Sequence, residues 1–571
     1  MALVDELTLT ILDEELFIGY LKSHGEDERL ARELARLHNR SAALSLQRLQ
    51  TLIAGGVRDY KAVVDAALLR FQGTDGVRGL TEPTIYSPKE SIRLFLEKKT
   101  ISPTFIYLLT RAFLEHFSPS ICYVGDDGRE GKEKPLAKAA LAAVEASSVH
   151  GSYLSTVVTP TMAYASLRPD TVAIMLTASH NPPEYNGLKC FVNGKKLTLA
   201  EEYALTLKVI ALAREEGIPA IKTQVLTQTG LELIEAFTAV VAGVFSPQER
   251  ATLRTLPIVI DCANGAGSEL SNQLAMRLGF SPTILYTTGN GGLINHGCGA
   301  ALWEGVDHVP FDGPYPAQLA KEVAQRCNDE SRATYGLALD GDGDRAIVLV
   351  AYSPNTPIQV LHGDEMAQVL IPTLINENPR ANEVYSTIES DPAVLASLKE
   401  AYKDLHFIQT SVGDRWLSFG DQEQLLLGFE QSGHVLWPIK NENGLLTSGN
   451  GLVTGLKVIG RLATHVESFI QRSSRMTWSV MTAASSLWYY GSPFFTSVQA
   501  TLENALGEQF KRTVFKEDMN VLFYQTALGE SLYVRASGTE PKIQVIFPQE
   551  LKNQLEKVTE SIQTLSESFP Y

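Results

Sequence analysis

The run Tyr335-Gly-Leu-Ala-Leu-Asp-Gly-Asp-Gly-Asp-Arg-Ala-Ile-Val-Leu-Val350 sets an acidic, glycine-relaxed loop between two short apolar segments. Segments of this kind read as strands, so the loop belongs at the end of a sheet rather than in a solvated turn. The same order, apolar strand then polar or Gly-rich loop, recurs in Ile121-Cys-Tyr-Val-Gly-Asp-Asp127, Val172-Ala-Ile-Met-Leu-Thr-Ala-Ser179 and Pro257-Ile-Val-Ile-Asp-Cys-Ala-Asn-Gly-Ala-Gly267. Helical stretches such as 135–147 and 270–278 lie between them. The alternation predicts α/β units with largely parallel sheets, and ligand sites at the carboxyl ends of strands.

Outside this region the pattern changes. In the first seventy residues Leu30, Leu34 and Leu37, then Leu46, Leu49 and Ile53, recur at spacings of three and four, with charged residues between. This predicts amphipathic helices broken at Gly25 and at Gly55-Gly56, serving as a packed cap or, alternatively, as a partner-binding or oligomerisation arm. A length of 571 residues suggests about four domains. Candidate linkers lie near 219–230, 351–357 and 468–478, and 291–316 reads as one long loop. Lys and Arg number 49 against 65 Asp and Glu, a formal charge of -16. That balance argues against a general nucleic-acid-binding role, and an anionic small substrate would need a local cluster of cations. Cys122, Cys190, Cys262, Cys298 and Cys327 are odd in number and widely spaced, which fits neither a disulfide framework nor a zinc site and points to a reducing cytoplasm. No apolar run approaches roughly 18 residues and the N-terminus begins acidic, so neither a membrane span nor secretion is expected.

Five loops carry the chemistry. In Leu176-Thr-Ala-Ser-His-Asn-Pro-Pro-Glu-Tyr-Asn-Gly-Leu-Lys189, Ser179 falls where a strand should end, on an exposed loop shaped by turns at Asn181-Pro182 and Asn186-Gly187, with Lys189 close enough to return to the same pocket. A serine in a turn is by itself a structural residue, and no Gly-x-Ser-x-Gly elbow is present. Asp340, Asp342 and Asp344 repel one another unless a cation lies between them, and hard oxygen ligands suit Mg²⁺. An EF-hand is excluded, because its sixth position would be Arg345 and its twelfth Ala351. Three aspartates, one divalent ion and a phosphoserine leave a net negative charge that Arg345, Lys189 and Arg78 are placed to offset. Gly73-Thr-Asp-Gly-Val-Arg-Gly79 is a weaker Gly-rich loop. In Gly428-Phe-Glu-Gln-Ser-Gly-His434, Glu430 and Ser432 alternate along an extended segment to face sugar hydroxyls, and His434 can move a proton. Arg535-Ala-Ser-Gly-Thr-Glu-Pro-Lys542 reads as an anion cradle.

Taken in order, T-A-S-H-N-P, D-G-D-G-D-R, G-F-E-Q-S-G-H and R-A-S-G-T-E-P, with G-T-D-G-V-R-G ahead of them, resemble the α-D-phosphohexomutase family, from about Phe71 to the C-terminus. The resemblance implies an α/β fold of four domains around one cleft: three related mixed α/β domains and a smaller α+β C-terminal domain, here with a helical N-terminal extension. The implied division is 1–70 for the extension, 71–222 with the phosphoserine loop, 223–355 with the metal loop, 356–470 with the sugar loop and 471–571 with the phosphate loop. By motif, Ser179 is the phosphorylated serine, with His180, Lys189, Arg78 and His434 as the other catalytic positions. One Mg²⁺ is held by Asp340, Asp342, Asp344 and a phosphoserine oxygen. Glu430, Ser432, Arg345 and, in Ser411-Val-Gly-Asp-Arg415, Gly413 and Asp414 contact the sugar, while Arg535, Ser537, Gly538 and Thr539 hold its nontransferring phosphate.

The implied reaction interconverts hexose 6-phosphate and hexose 1-phosphate, with a hexose bisphosphate as intermediate and activator. Gly-x-Glu-Gln-Ser-Gly and Ser-Gly-Thr-Glu-Pro resemble the phosphoglucosamine mutase branch more than the phosphomannomutase/phosphoglucomutase branch. Against the family pattern, Phe429 stands where Gly is usual and Ser448-Gly-Asn-Gly451 replaces Gly-Asp-Gly. The expected partner is a sugar phosphate, with no nucleic acid or membrane, for a monomer or homodimer. A catalytically idle sugar-phosphate-binding homologue and a metal-dependent phosphatase are the competing readings.

Overall fold

The computed structural model describes residues 71–568, leaving out 74, 214–225, 288–292, 419, 466–474, 483–487, 489–492, 516–519, 528–529 and 537–541. The helical extension read over 1–70, and Ser537, Gly538 and Thr539 of the anion cradle, therefore lie outside the described residues.

The first sheet collects β1 (Val77–Thr81), β2 (Thr100–Ile101), β3 (Ile121–Asp126), β4 (His150–Thr156), β5 (Thr171–Leu176), β6 (Tyr185–Val192) and β7 (Lys195–Lys196), in the order β2-β1-β6-β5-β3-β4 with β7 on β6. Helix Pro103–Phe117 covers it. Ser102 caps that helix by accepting from the Phe105 N–H at 3.2 Å, and Pro103 starts it with φ already set. The second sheet holds β8 (Ile258–Asp261), β9 (Thr283–Leu285), β10 (His308–Val309), β11 (Thr334–Leu339), β12 (Ala346–Ala351) and β13 (Ile358–Leu361), in the order β10-β13-β12-β11-β8-β9. The third holds β14 (Glu383–Thr387), β15 (His406–Thr410), β16 (Leu425–Phe429) and β17 (Val435–Leu436), in the order β15-β14-β16-β17; β18 (Ile439–Asn441) and β19 (Gly444–Leu446) form a separate hairpin. The last is antiparallel throughout, with β20 (Arg475–Met481), β21 (Lys511–Thr513), β22 (Leu522–Gln525), β23 (Ser531–Ala536) and β24 (Lys542–Pro548) in the order β20-β24-β23-β22-β21. It is covered by helices Pro493–Leu506 and Lys552–Ser568, whose buried side chains share its core.

The first three sheets are mixed rather than largely parallel. β5 returns antiparallel as β6, and β11 as β12. Short loops force this, because a parallel return needs a crossover of a dozen or more residues. The serine and acidic loops still stand at the carboxyl ends of β5 and β11. The 351–357 stretch is the hairpin connection from β12 to β13, not a linker, and the second sheet runs on through Leu361, past the boundary expected at 355. Trp478, placed in a linker by its sequence surroundings, lies inside β20. The 293–316 part of the expected long loop is largely packed: Ile294, Cys298, Ala300 and Trp303 are buried, and His308–Val309 pairs with β13.

One apolar cluster runs from Leu154 and Met162 of the first unit through Phe237, Leu274, Leu337 and Val348 to Leu427 and Ile459. The first three sheets are thus welded by shared core, whereas the last has its own around Leu522, Val534 and Leu555. All five cysteines are free and buried. Among the described residues no single helix is long and apolar enough to cross a membrane.

Candidate active site

β5 is buried along its whole length, and its carboxyl end delivers Thr177-Ala-Ser179. Ser179 sits in the left-handed region, at φ 53°, a conformation costing roughly 1–2 kcal/mol that the surroundings must hold. They do so by hydrogen bonds. The Ser179 N–H donates to Thr177 Oγ1 at 2.7 Å, and Thr177 Oγ1 donates to Asp127 Oδ2 at 2.6 Å. Asp127 also pairs with Arg129 Nε at 2.8 Å. The Arg129 guanidinium donates to four carbonyls along the segment: Ser179 at 2.9 Å, Asn181 at 3.5 Å, Pro182 at 3.2 Å and Tyr185 at 2.6 Å. A turn forms at Pro182, whose carbonyl accepts from the Tyr185 N–H at 3.1 Å. The second expected turn is absent: Asn186 and Gly187 lie inside β6, opposite Gly79 and Arg78. Gly187 is needed there for closeness, since a Cβ would meet the Val77 carbonyl oxygen at 1.8 Å.

The 340–345 loop closes over this serine. Ser179, expected to be exposed, is fully buried, and its Oγ donates to Asp340 Oδ2 at 2.7 Å. Asp342 Oδ2 accepts from Thr159 Oγ1 and from Lys189 Nζ, each at 2.7 Å, and Asp344 Oδ2 accepts from Lys189 Nζ at 2.8 Å. Lys189 also pairs with Asp75 at 2.9 Å. Gly343 takes φ 69°, and Gly265 lets the neighbouring helix Gly267–Leu278 abut the loop, because a Cβ there would lie 2.1 Å from the Gly341 carbonyl oxygen. Burial, then repulsion from Asp344 and Asp342, pushes the Asp340 carboxyl well above the usual range. Burial also acts to raise Asp344, but Lys189 and His434 overcome it and hold it below the usual range. Lys189 is desolvated, yet Asp342, Asp344 and Asp75 keep its ammonium charged well above its ordinary pKa.

The remaining predicted residues converge on the same place. Arg345 and His434 form a two-residue antiparallel bridge, and the Ala346 N–H donates to the Gly433 carbonyl at 3.1 Å, so the sugar loop is fastened to the acidic loop. Residues 430–433 form a turn, not an extended segment, closed by the Gly433 N–H on the Glu430 carbonyl at 3.1 Å. Glu430 and Ser432 meet nonetheless, Ser432 Oγ donating to Glu430 Oε1 at 2.6 Å. His434 Nε2 lies 3.3 Å from Asp414 Oδ2 and 3.8 Å from Asp344 Oδ2. Gly413 precedes the short helix Asp414–Leu417, and Asp414 pairs with Lys196, which reaches Asp75 as well. Arg78 pairs with Asp75 and donates to Asn181 Oδ1 at 3.1 Å. Half-buried His180 is pushed well below its ordinary pKa by desolvation, then by Arg345 and Arg78, and is neutral at pH 7. Arg535, near the end of β23 in the last sheet, pairs with Glu389 at 2.9 Å. The atypical 448–451 segment packs beneath: Asn450 caps helix Gly451–Leu462, while Gly449 and Gly451 leave room for the His434 ring and the Arg345 carbonyl.

Two family models match the chain. Phosphoglucomutase/phosphomannomutase, alpha/beta/alpha domain I, matches residues 71–214, and domain III matches residues 362–477. A phosphoglucosamine mutase of Clostridium kluyveri is 27% identical over 514 residues, spanning 87% of this chain and 99% of its own. One of Leuconostoc mesenteroides is 29% identical over 507 residues, 86% and 97% of the two chains. A crystal structure of a phosphoglucomutase/phosphomannomutase family protein from Burkholderia thailandensis shares the fold, with a TM-score of 0.60 at 18% identity over 87% of this chain and 97% of that one. The chain belongs to the α-D-phosphohexomutase family.

As a phosphohexomutase it is an enzyme of the phosphotransferase and isomerase class. The acidic residues fit a divalent cation: one oxygen from each of Asp340, Asp342 and Asp344 lies within 4.8 Å of the others, all three are buried, and among the described residues Asp342 Oδ1 and Asp344 Oδ1 have no hydrogen-bond partner. Glu430 Oε2 is likewise buried without one, as a group awaiting a ligand hydroxyl would be. Sequence reasoning missed Arg129, Asp127, Thr159, Asp75 and Lys196. Arg129 had a signal, Asp126-Asp-Gly-Arg directly after a strand; Asp75 sat inside a motif already singled out. Thr159 had none, since it reaches Asp342 from 183 residues away.

Proposed function

We propose that this phosphohexomutase interconverts hexose 6-phosphate and hexose 1-phosphate through a phosphoserine at Ser179 and a hexose bisphosphate, with glucosamine phosphate as the preferred substrate. The observation that carries the reading is Ser179 Oγ against Asp340, in a triad of buried carboxylates whose other two members, Asp342 and Asp344, Lys189 bridges. Support for the amino sugar comes from relatives named phosphoglucosamine mutase and from the Gly-x-Glu-Gln-Ser-Gly segment.

In the forward half-reaction the bond from phosphorus to Ser179 Oγ breaks as one forms to the sugar hydroxyl, and that hydroxyl's proton leaves to a base. His434, within reach of Asp414 and Asp344, is placed for proton transfer. Lys189, held charged, supplies positive charge rather than accepting a proton. Glu430 and Ser432 orient the sugar, and Arg535 with Ser537, Gly538 and Thr539 holds the phosphate that is not being transferred. After the bisphosphate turns over in the cleft, its other phosphoryl group returns to Ser179. Asp340, Asp342 and Asp344 would hold Mg²⁺, which when bound neutralises charge on the transferring phosphoryl oxygens. Closure of the last unit against the cleft would protect the phosphoserine from water.

Intact mass tests the first step: the purified chain should contain a population heavier by one phosphoryl group, and Ser179→Ala should lack it. A coupled assay with glucosamine, mannose and glucose 6-phosphates, Mg²⁺ and a trace of bisphosphate should rank glucosamine first. Equal rates would remove the substrate preference, and steady release of inorganic phosphate would replace the mutase with a phosphatase.

A further inference from the structure

Ser179 is gripped from two sides. Arg129, from its own unit, donates to the Ser179 carbonyl at 2.9 Å. The second donor comes from the unit that carries the aspartates: Asn295 Nδ2 donates to that same carbonyl at 2.8 Å and to the Asn181 carbonyl at 3.0 Å, using both of its N–H bonds. Asn295 is itself fixed. It takes the left-handed conformation, φ 57°, which asparagine tolerates, and its N–H donates to the Ala263 carbonyl at 2.9 Å. Its neighbour Ile294 is buried against Gly341, in the middle of the acidic loop.

We infer that Asn295 is a positioning residue for phosphoryl transfer, a side-chain amide that ties the nucleophile loop of the first unit to the acidic loop of the second. The inference rests on the phosphohexomutase reading of Ser179. In-line transfer needs the serine oxygen held to within a fraction of an ångström of the charges that stabilise the transferring group, and the two loops belong to different sheets. The Ser179–Asp340 contact cannot hold that register by itself, because phosphorylation of Oγ removes its donor proton. The carbonyl clamp does not involve Oγ and persists through both halves of the reaction. Arg129 fixes the loop within its own sheet; Asn295 fixes it relative to the acids.

The test uses the full-length enzyme with Mg²⁺ and a hexose 1,6-bisphosphate as phosphoryl source. Asn295→Asp keeps shape and left-handed tolerance but replaces the donor amide with oxygen; Asn295→Gly keeps the backbone conformation and removes the side chain. Both should lower kcat on the order of 100-fold with KM little changed. Both should also shorten the lifetime of the phosphoserine without substrate, read by intact mass. Variants that unfold at lower temperature yet keep wild-type kcat and phosphoserine lifetime would reduce Asn295 to a structural residue and overturn the inference. A wild-type chain that takes up no phosphoryl group would sink the parent reading and this one together, whereas an active wild type beside an equally fast Asn295→Asp would sink this inference alone.

Discussion

Lys189 concentrates the electrostatics of the site in one side chain. It is 1% exposed and meets three carboxylates, Asp75, Asp342 and Asp344. Removing one partner from a buried charge network leaves the others uncompensated, which costs about 3–5 kcal/mol. Lys189→Met should therefore lower the unfolding midpoint sharply in a chelator. Mg²⁺ should recover more of that midpoint in the variant than it adds to the wild type, because the ion then replaces the lost positive charge. Thermal unfolding of both proteins with and without Mg²⁺ checks this; equal shifts would mean that the three acids do not form the cation site.

At the scale of elements, strand ends and helix starts deliver the functional groups, and one cap carries a pH signature. Helix Pro135–Ala146 begins without a side-chain cap from its own N-cap residue, Lys134. Glu130 reaches across instead, accepting from the Leu136 N–H at 2.8 Å and the Ala137 N–H at 3.2 Å. Burial raises the Glu130 carboxyl to about 7 despite those bonds. A carboxyl raised on folding favours the protonated native state, so its contribution is present below the unfolded pKa, near 4.5, and is lost as pH rises through about 7. Glu130→Gln, which cannot ionise, should gain stability relative to wild type between pH 5 and 8. Urea midpoints across that range measure it. A Gln variant that falls further behind as pH rises would show that the helix terminus, favouring the anion, outweighs burial.

For the molecule as a whole, the first three units share one apolar core and the fourth has its own. The fourth sheet leans on the third unit through Ile388, which is buried among Phe515, Val521, Phe523, Tyr533 and Ile546, with Val412 packed beside them. The next residue, Glu389, holds Arg535. Apolar anchoring and ion pairing thus sit side by side, and on the proposed role of Arg535 a substrate phosphate would compete with Glu389 for the guanidinium. Ile388→Ala removes a buried side chain worth about 2–5 kcal/mol, taken from the contact between units rather than from either core. It should raise KM for the sugar phosphate and lower the thermal unfolding midpoint, while phosphoserine formation from a bisphosphate is affected less. Unchanged KM and an unchanged midpoint would mean that the fourth unit does not depend on this contact.

The amino-acid sequence alone determined the strand-and-loop pattern, the acidic triad, the serine at a strand end and the order of the motifs, because each is written within a few consecutive residues. Hydrophobic runs of strand length and glycine-relaxed acidic loops declare themselves locally. Only the tertiary structure decided that the first three sheets are mixed, that 430–433 is a turn, that Asn186-Gly187 continues a strand, and that Ser179 is buried rather than exposed. It alone brought Thr159 to Asp342, Asn295 to Ser179 and Glu389 to Arg535, contacts spanning 183, 116 and 146 residues. Pairing partners and burial depend on which distant segment packs against a loop, and the energy of that packing is shared among residues that carry no mark of it in their own neighbourhood.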